Sequence, residues 1–163
     1  FIGDFLGLRR IVKEGYESLS KVCRPVEKFD KKLEILADDL TDTLIDANGA
    51  GLAAPQVGVV RRVVAVLDDD DETVLILVNP EIIKTEGTQE YIEGCLSIPG
   101  VWGKTLRPAK VTVRAQDIKG NFFELTREGR TAVCFCHEID HLNGILFREH
   151  VTEYIDESEL ETE

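Results

Sequence analysis

Near the end of the chain, Cys136-His137-Glu138-Ile139-Asp140-His141 sets two histidines four residues apart with a glutamate beside the first. On an α-helix such a pair lies on one face, about 6 Å apart along the axis, so both imidazoles can converge on one metal ion while Glu138 stands next to it. The flanking residues constrain the fold as strongly. Ala132, Val133, Phe135, Ile139 and Leu142 make the other faces of this helix apolar. The histidine pair is therefore enclosed with the rest of the helix, and buried paired histidines without a ligand are costly. The segment predicts a central helix that other elements must wrap, carrying a hydrolytic metal site.

Two histidines on one helix need a third ligand, and three cysteines compete for the place. Cys134 shares the helical face of His137 and His141. It stands seven residues from His141, roughly 10 Å along the axis, whereas two ligands of one ion with bonds of about 2.0–2.3 Å cannot be much more than 4 Å apart. Cys134 is therefore expected to line the pocket beside the metal. Cys136 points about a quarter turn away and reads as a buried small hydrophobe. Cys95 remains, in Glu93-Gly94-Cys95-Leu96-Ser97 ahead of Pro99-Gly100. A loop cysteine there can approach the histidines from the side and leave a fourth position open to water.

Elsewhere the patterning is that of alternating strands between two helices. From Asp30, an expected N-cap, apolar residues recur at Leu33, Leu36, Ala37, Leu40, Leu44 and Ile45, predicting a helix that ends near Asn48-Gly49. It delivers a small-residue loop, Gly49 to Gln56, to the core. Strands are predicted at 63–67 and 74–78, the second closed by Asn79-Pro80, and then at 81–85, 89–92, 110–115 and 122–126. Gly120-Asn121 marks a hairpin, and the motif helix should run from about Glu128 to a left-handed stop at Asn143-Gly144. The fold class is α+β, with mostly antiparallel sheets wrapped around the central helix.

At 163 residues the chain suits one domain spanning 1–163, long enough to bury roughly two-thirds of its unfolded surface. No apolar run approaches the ~20 residues that span a bilayer, which argues against a membrane segment. A net charge of −12 without a Lys/Arg stripe argues against nucleic acid as a partner. Acidity gathers in Asp68-Asp69-Asp70-Asp71-Glu72, read as a solvated hairpin loop, and in an acidic tail at 152–163. The start places the basic Arg9-Arg10 after the apolar part, opposite to a secretory signal, and residues 1–9, without an initiating Met, read as a processed end.

Three segments taken in order, Gly49-Ala50-Gly51-Leu52-Ala53-Ala54-Pro55-Gln56, Glu93-Gly94-Cys95-Leu96-Ser97 and the His-Glu-x-x-His run, resemble the peptide deformylases, whose patterns are G-x-G-x-A-A-x-Q, E-G-C-x-S and Q-H-E-x-D-H. The resemblance extends from about Arg10 to Val151. Cys136 replaces the usual glutamine, a position that is neither ligand nor proton carrier in that family. The resemblance implies removal of the N-formyl group from formyl-methionyl nascent polypeptides, with release of formate. Cys95, His137 and His141 would hold one divalent ion per chain, Fe2+ being the family's usual native ion and Zn2+, Ni2+ or Co2+ alternatives. Glu138 would carry the proton, while the Gln56 amide and the Leu96 backbone N–H would stabilise the oxyanion. Gly51 and Glu93 would lie near the peptide backbone, with Ala50, Val133 and Cys134 around the methionine side chain. Asp140 is expected to orient a ring N–H or form a salt bridge.

The resemblance also implies a bacterial cytoplasmic or organellar setting. The acidic ending is unlike the basic C-terminal helix that some members use at the ribosome, so ribosome contact is expected to be transient at most. Two rival readings share the motif. A metallopeptidase would cut internal peptide bonds, but usually recruits its third ligand downstream of the helix. A metal-stapled binding module without catalysis would want a fourth protein ligand, and His150 lies far along the chain for that role.

Overall fold

The computed structural model describes residues 7–160, so residues 1–6 of the expected processed end and 161–163 of the acidic tail lie outside the described residues. Asp30 caps the first helix as expected: its carboxylate accepts from the Leu33 backbone N–H, and α1 runs Lys31–Asp46. Leu33, Leu36, Leu40 and Leu44 form its buried stripe. The helix ends before Asn48, which takes φ 54°.

The small-residue segment after α1 is regular structure and not a loop. Gly51–Ala53 forms strand β1 and Ala54–Val57 a turn of 3-10 helix. Strand β2 (Val63–Leu67) pairs antiparallel with β1 on one side and with β3 (Val74–Glu86) on the other. Asn79-Pro80, expected to end a strand, lies inside β3. The register slips between Val78 and Glu81, so the proline, which has no N–H to donate, occupies an irregularity and not a regular rung. Asn79 adopts φ 51° there, and its side chain bridges Val26 and Gln116. Two expected strands are thereby one.

Strands β4 (Gln89–Cys95), β5 (Ile98–Arg107), β6 (Lys110–Gln116) and β7 (Phe122–Glu128) lead into helix α2 (Gly129–Leu142). A further strand, β8 (Val151–Ile155), and the short helix α3 (Glu157–Leu160) come after it. One sheet has the order β1-β2-β3-β6-β7 and the other β4-β5-β8, with all neighbours antiparallel. The fold is α+β, as expected, and α2 is buried from Thr131 to Leu142 apart from the half-buried Asp140. The sequence reading lacks β5, whose Pro99, Gly100 and Gly103 break the alternation, and β8, whose acidic residues read as tail. Pairing of Trp102 with Ile155 and of Lys104 with Glu153 draws that segment into the second sheet.

The acidic run between β2 and β3 is a hairpin, but its acids are not simply solvated. Asp68 is gripped by Arg127 through two bonds of 2.8 and 3.0 Å. Asp71 pairs with Arg130 at 2.5 Å, and Asp69 accepts from the Thr131 hydroxyl. The loop clasps the first turn of α2.

Candidate metal centre

Cys95 is the last residue of β4, paired with Ile98 across the Leu96-Ser97 turn, and so sits on a strand end instead of a free loop. A side chain at Gly94 would run into the Trp102 ring, which explains the glycine just before the cysteine. Helix α2 supplies His137 and His141, their ring centroids 5.0 Å apart. His137 stacks on the buried Phe147. One donor atom from each of Cys95, His137 and His141 lies within 4.8 Å of the others. The Cys95 Sγ to His141 Nε2 distance is 3.4 Å, close to the separation of about 3.5 Å expected between two ligands of one tetrahedral ion. A thiol and two imidazoles are a donor set suited to zinc, iron, nickel or cobalt.

Around these three, the other expected residues converge. Ala50, Gly51, Gln56, Glu93, Leu96, Val133, Cys134 and Glu138 border one cavity of about 420 Å³ together with Cys95 and His137. His141 is fully buried behind them. Gly51 brings β1 against the catalytic-motif glutamate: a Cβ there would stand 2.5 Å from Glu138 Oε2. The other Glu138 oxygen is buried without a hydrogen-bond partner among the described residues. Burial pushes its carboxyl up to about 7, against the lowering influence of His137. The Gln56 amide is fixed from both ends, its Oε1 accepting from Ala53 N–H at 2.9 Å and its Nε2 donating to Ser97 Oγ at 3.1 Å. The same Nε2 lies 3.5 Å from Cys95 Sγ, so its N–H is turned toward the donor cluster.

The remaining cysteines are distinguished by their surroundings. Cys134 lines the cavity and burial pushes its thiol up to about 12; Cys136 is packed in the core, with its thiol up at about 11 for the same reason. Both stay protonated and behave as small apolar groups. Glu93 borders the cavity, but its buried carboxylate is taken up by protein partners. Both its oxygens are engaged, by Arg107 at 2.7 and 3.1 Å, by Thr105, and by His137 Nδ1 at 2.8 Å. Burial favours the neutral acid, but the bonds from His137 and Arg107 outweigh it and hold the carboxyl at about 2. Asp140 makes the expected salt bridge, to Arg107 at 3.0 Å.

Among the cavity neighbours, Tyr91, Ile92, Ile98, Val101, Trp102 and Arg130 escape the sequence reading, as do Arg107 and Thr105 behind it. Only strand alternation around 89–107 could have flagged those on β4 and β5, where the glycines obscure it, and Arg130 on α2 has no such signal.

A family model described as polypeptide deformylase matches residues 8–156. The chain belongs to the polypeptide deformylase family. A peptide deformylase of Caldicellulosiruptor bescii is 52% identical over 156 residues, covering 96% of this chain and 93% of that relative. Peptide deformylase 1 of Bacillus cereus is 46% identical and covers 96% of this chain and 100% of its own. Among solved structures, the Thermotoga maritima peptide deformylase superposes with TM-score 0.85 at 35% identity, covering 89% of this chain and 98% of that one. A class I type b deformylase from Acinetobacter baumannii with Met-Ala-Ser bound has TM-score 0.83 at 33% identity, covering 88% and 98%. The chain is thus a metal-binding hydrolase of the deformylase type, and the metallopeptidase and metal-stapled readings fall away. Among the described residues no helix is long and apolar enough to cross a membrane.

Proposed function

We propose that this chain removes the formyl group from N-formyl-methionyl peptides, with Cys95, His137 and His141 as the ligands of one divalent ion and Glu138 as the proton carrier. The observation that carries the reading is the convergence of those three donors beside a buried, unpartnered Glu138 oxygen at the edge of a cavity. An ion held there supplies Lewis acidity toward water and a carbonyl oxygen.

The residues of the chain account for the rest of an amide hydrolysis. Glu138 takes a proton from the attacking water and returns it to the departing nitrogen, without which the amine is a poor leaving group. The Gln56 Nε2–H, prevented from rotating by its bonds to Ala53 and Ser97, donates to the oxygen that gains charge in the tetrahedral state, and the Leu96 backbone N–H is the second donor. Because the Gln56 amide is fixed beforehand, little reorganisation of it accompanies the charge. Gly51, with no side chain to block the approach, and Glu93, through its main chain, flank the peptide backbone. Ala50, Val133 and Cys134 receive the methionine side chain on an apolar wall. The complex of Met-Ala-Ser with the Acinetobacter relative supports a product of this kind.

Ferrous iron is the working ion in this proposal, by resemblance to the family. The setting is the bacterial cytoplasm, with ribosome contact at most transient, since Glu153, Asp156, Glu157 and Glu159 make the described C-terminal segment acidic. Purification without oxygen, followed by metal analysis and a formate assay on a formyl-Met peptide, tests the reading. About one iron per chain and formate release that decays on exposure to air are expected. Metal-loaded protein that releases no formate would contradict it.

A further inference from the structure

The two histidines are supported differently. The buried Nδ1 of His141 has no hydrogen-bond partner among the described residues, whereas Nδ1 of His137 begins a chain of four further residues. Glu93 Oε1 is 2.8 Å from it. Arg107 grips Glu93 with Nε at 2.7 Å and Nη2 at 3.1 Å, and turns its third nitrogen, Nη1, onto Asp140 Oδ2 at 3.0 Å. The same Asp140 oxygen accepts from His150 Nε2 at 3.1 Å. Arg107 and Glu93 are almost wholly buried, at 4% and 3% exposure, while the His150 side chain is 39% exposed.

Arg107 comes from β5 and joins two elements that each carry metal donors: Glu93 lies two residues before Cys95 on β4, and Asp140 lies on α2 beside His141. Its planar fork holds both Glu93 oxygens in one orientation, which a single ammonium could not do. Glu93, so fixed, accepts the His137 Nδ1–H and leaves Nε2 as the free donor; a carboxylate behind a ligating imidazole also raises its basicity. We propose that Arg107 is a positioning residue of the metal centre, acting through Glu93 on His137, and that Asp140 and His150 extend this chain to the surface. This rests on Cys95, His137 and His141 being the metal ligands.

Zinc-loaded protein and its Arg107→Lys variant test the proposal by the rate of Zn2+ release to a competing chelator, and by the visible spectrum of the Co2+-substituted forms. Loss of a partner behind a ligating histidine typically costs about 10–100-fold in metal affinity or activity, so zinc release should quicken on that scale and the cobalt bands should move. A merely structural Arg107 would lower the melting temperature of the metal-free protein while leaving the cobalt spectrum and zinc release at wild-type values, and that result overturns the proposal. The Glu93→Gln background adds a second criterion: an effect carried by Glu93 makes the double variant hardly worse than E93Q alone, and additive losses contradict it.

Should R107K not fold, His150→Leu and Asp140→Asn read the same chain from its outer end. Smaller accelerations of zinc release are expected, with cobalt bands displaced in the same sense; wild-type behaviour in both overturns the proposal. Failure of the ligand assignment itself looks different: Cys95→Ala would then hold zinc as tightly as the wild type, or neither protein would retain it.

Discussion

Helix α2 is held at both ends by arginine–carboxylate clusters, and the two differ in burial. At its start, Arg127 and Arg130 reach the hairpin acids Asp68 and Asp71 with side chains 15–67% exposed. Further along, Arg107 joins Glu93 and Asp140 with its own side chain 5% exposed. Exposed pairs contribute about 0–1 kcal/mol, whereas breaking a buried pair by removing one partner costs about 3–5 kcal/mol. The chain places the costly arrangement where one strand and one helix must present donors to one point. It uses the weaker one only to seat the helix's first turn. Changes at the metal end should therefore act on chemistry, and changes at the hairpin end mildly on stability.

The largest effect belongs to Cys95→Ala at the metal end. Two histidines on one helix hold an ion weakly, so the purified variant should contain almost no metal and release no formate; a full metal content would move the third ligand elsewhere. Next comes Glu138→Gln, which keeps shape and the three donors but removes the proposed proton carrier. Turnover should fall by ~10²-fold or more with metal content unchanged. Gln56→Leu deletes the proposed donor to charge that develops only in the transition state, with an expected loss of order 10²-fold in kcat and little change in KM. An increase confined to KM would restrict Gln56 to positioning substrate.

The smallest effect is expected at the hairpin. Arg127→Ala should cost about 1 kcal/mol of stability, read from thermal or denaturant unfolding, with formate release close to wild type. Its pH dependence has a definite sign. Hydrogen bonding to Arg127 holds the Asp68 carboxyl below the ordinary aspartate range. A folded-state value below the unfolded one stabilises at neutral pH, and the contribution disappears as pH falls through that lowered value. The difference between wild type and R127A should accordingly shrink on acidification. A large loss of turnover in R127A would break the division between the two ends.

These two clusters also mark where the sequence is legible and where it is not. The motif helix, α1 with its Asp30 cap, and the meeting of Cys95 with His137 and His141 all come from local spacing and ligand geometry, because periodicity and bond lengths constrain them. The residues that fix those ligands do not. Arg107 reads as an ordinary strand cation, and only tertiary burial opposite Glu93 and Asp140 gives it a role. Asp68 and Asp71 read as solvated because their partners lie 59 residues away. Strand β3 reads as two pieces because the proline of Asn79-Pro80 signals an end, whereas long-range bonds from Asn79 to Val26 and Gln116 carry the strand past it.

The most direct test of the central claim, that the cluster at the metal end is a formyl-specific hydrolytic site, is a paired assay of one metal-loaded preparation on formyl-Met-Ala and acetyl-Met-Ala. The extra methyl of acetyl must occupy space needed by the attacking water beside Glu138 and Gln56. Formate release should therefore far exceed acetate release, with the internal peptide bond left intact. Comparable rates on the two substrates, or cleavage between Met and Ala, would contradict the account.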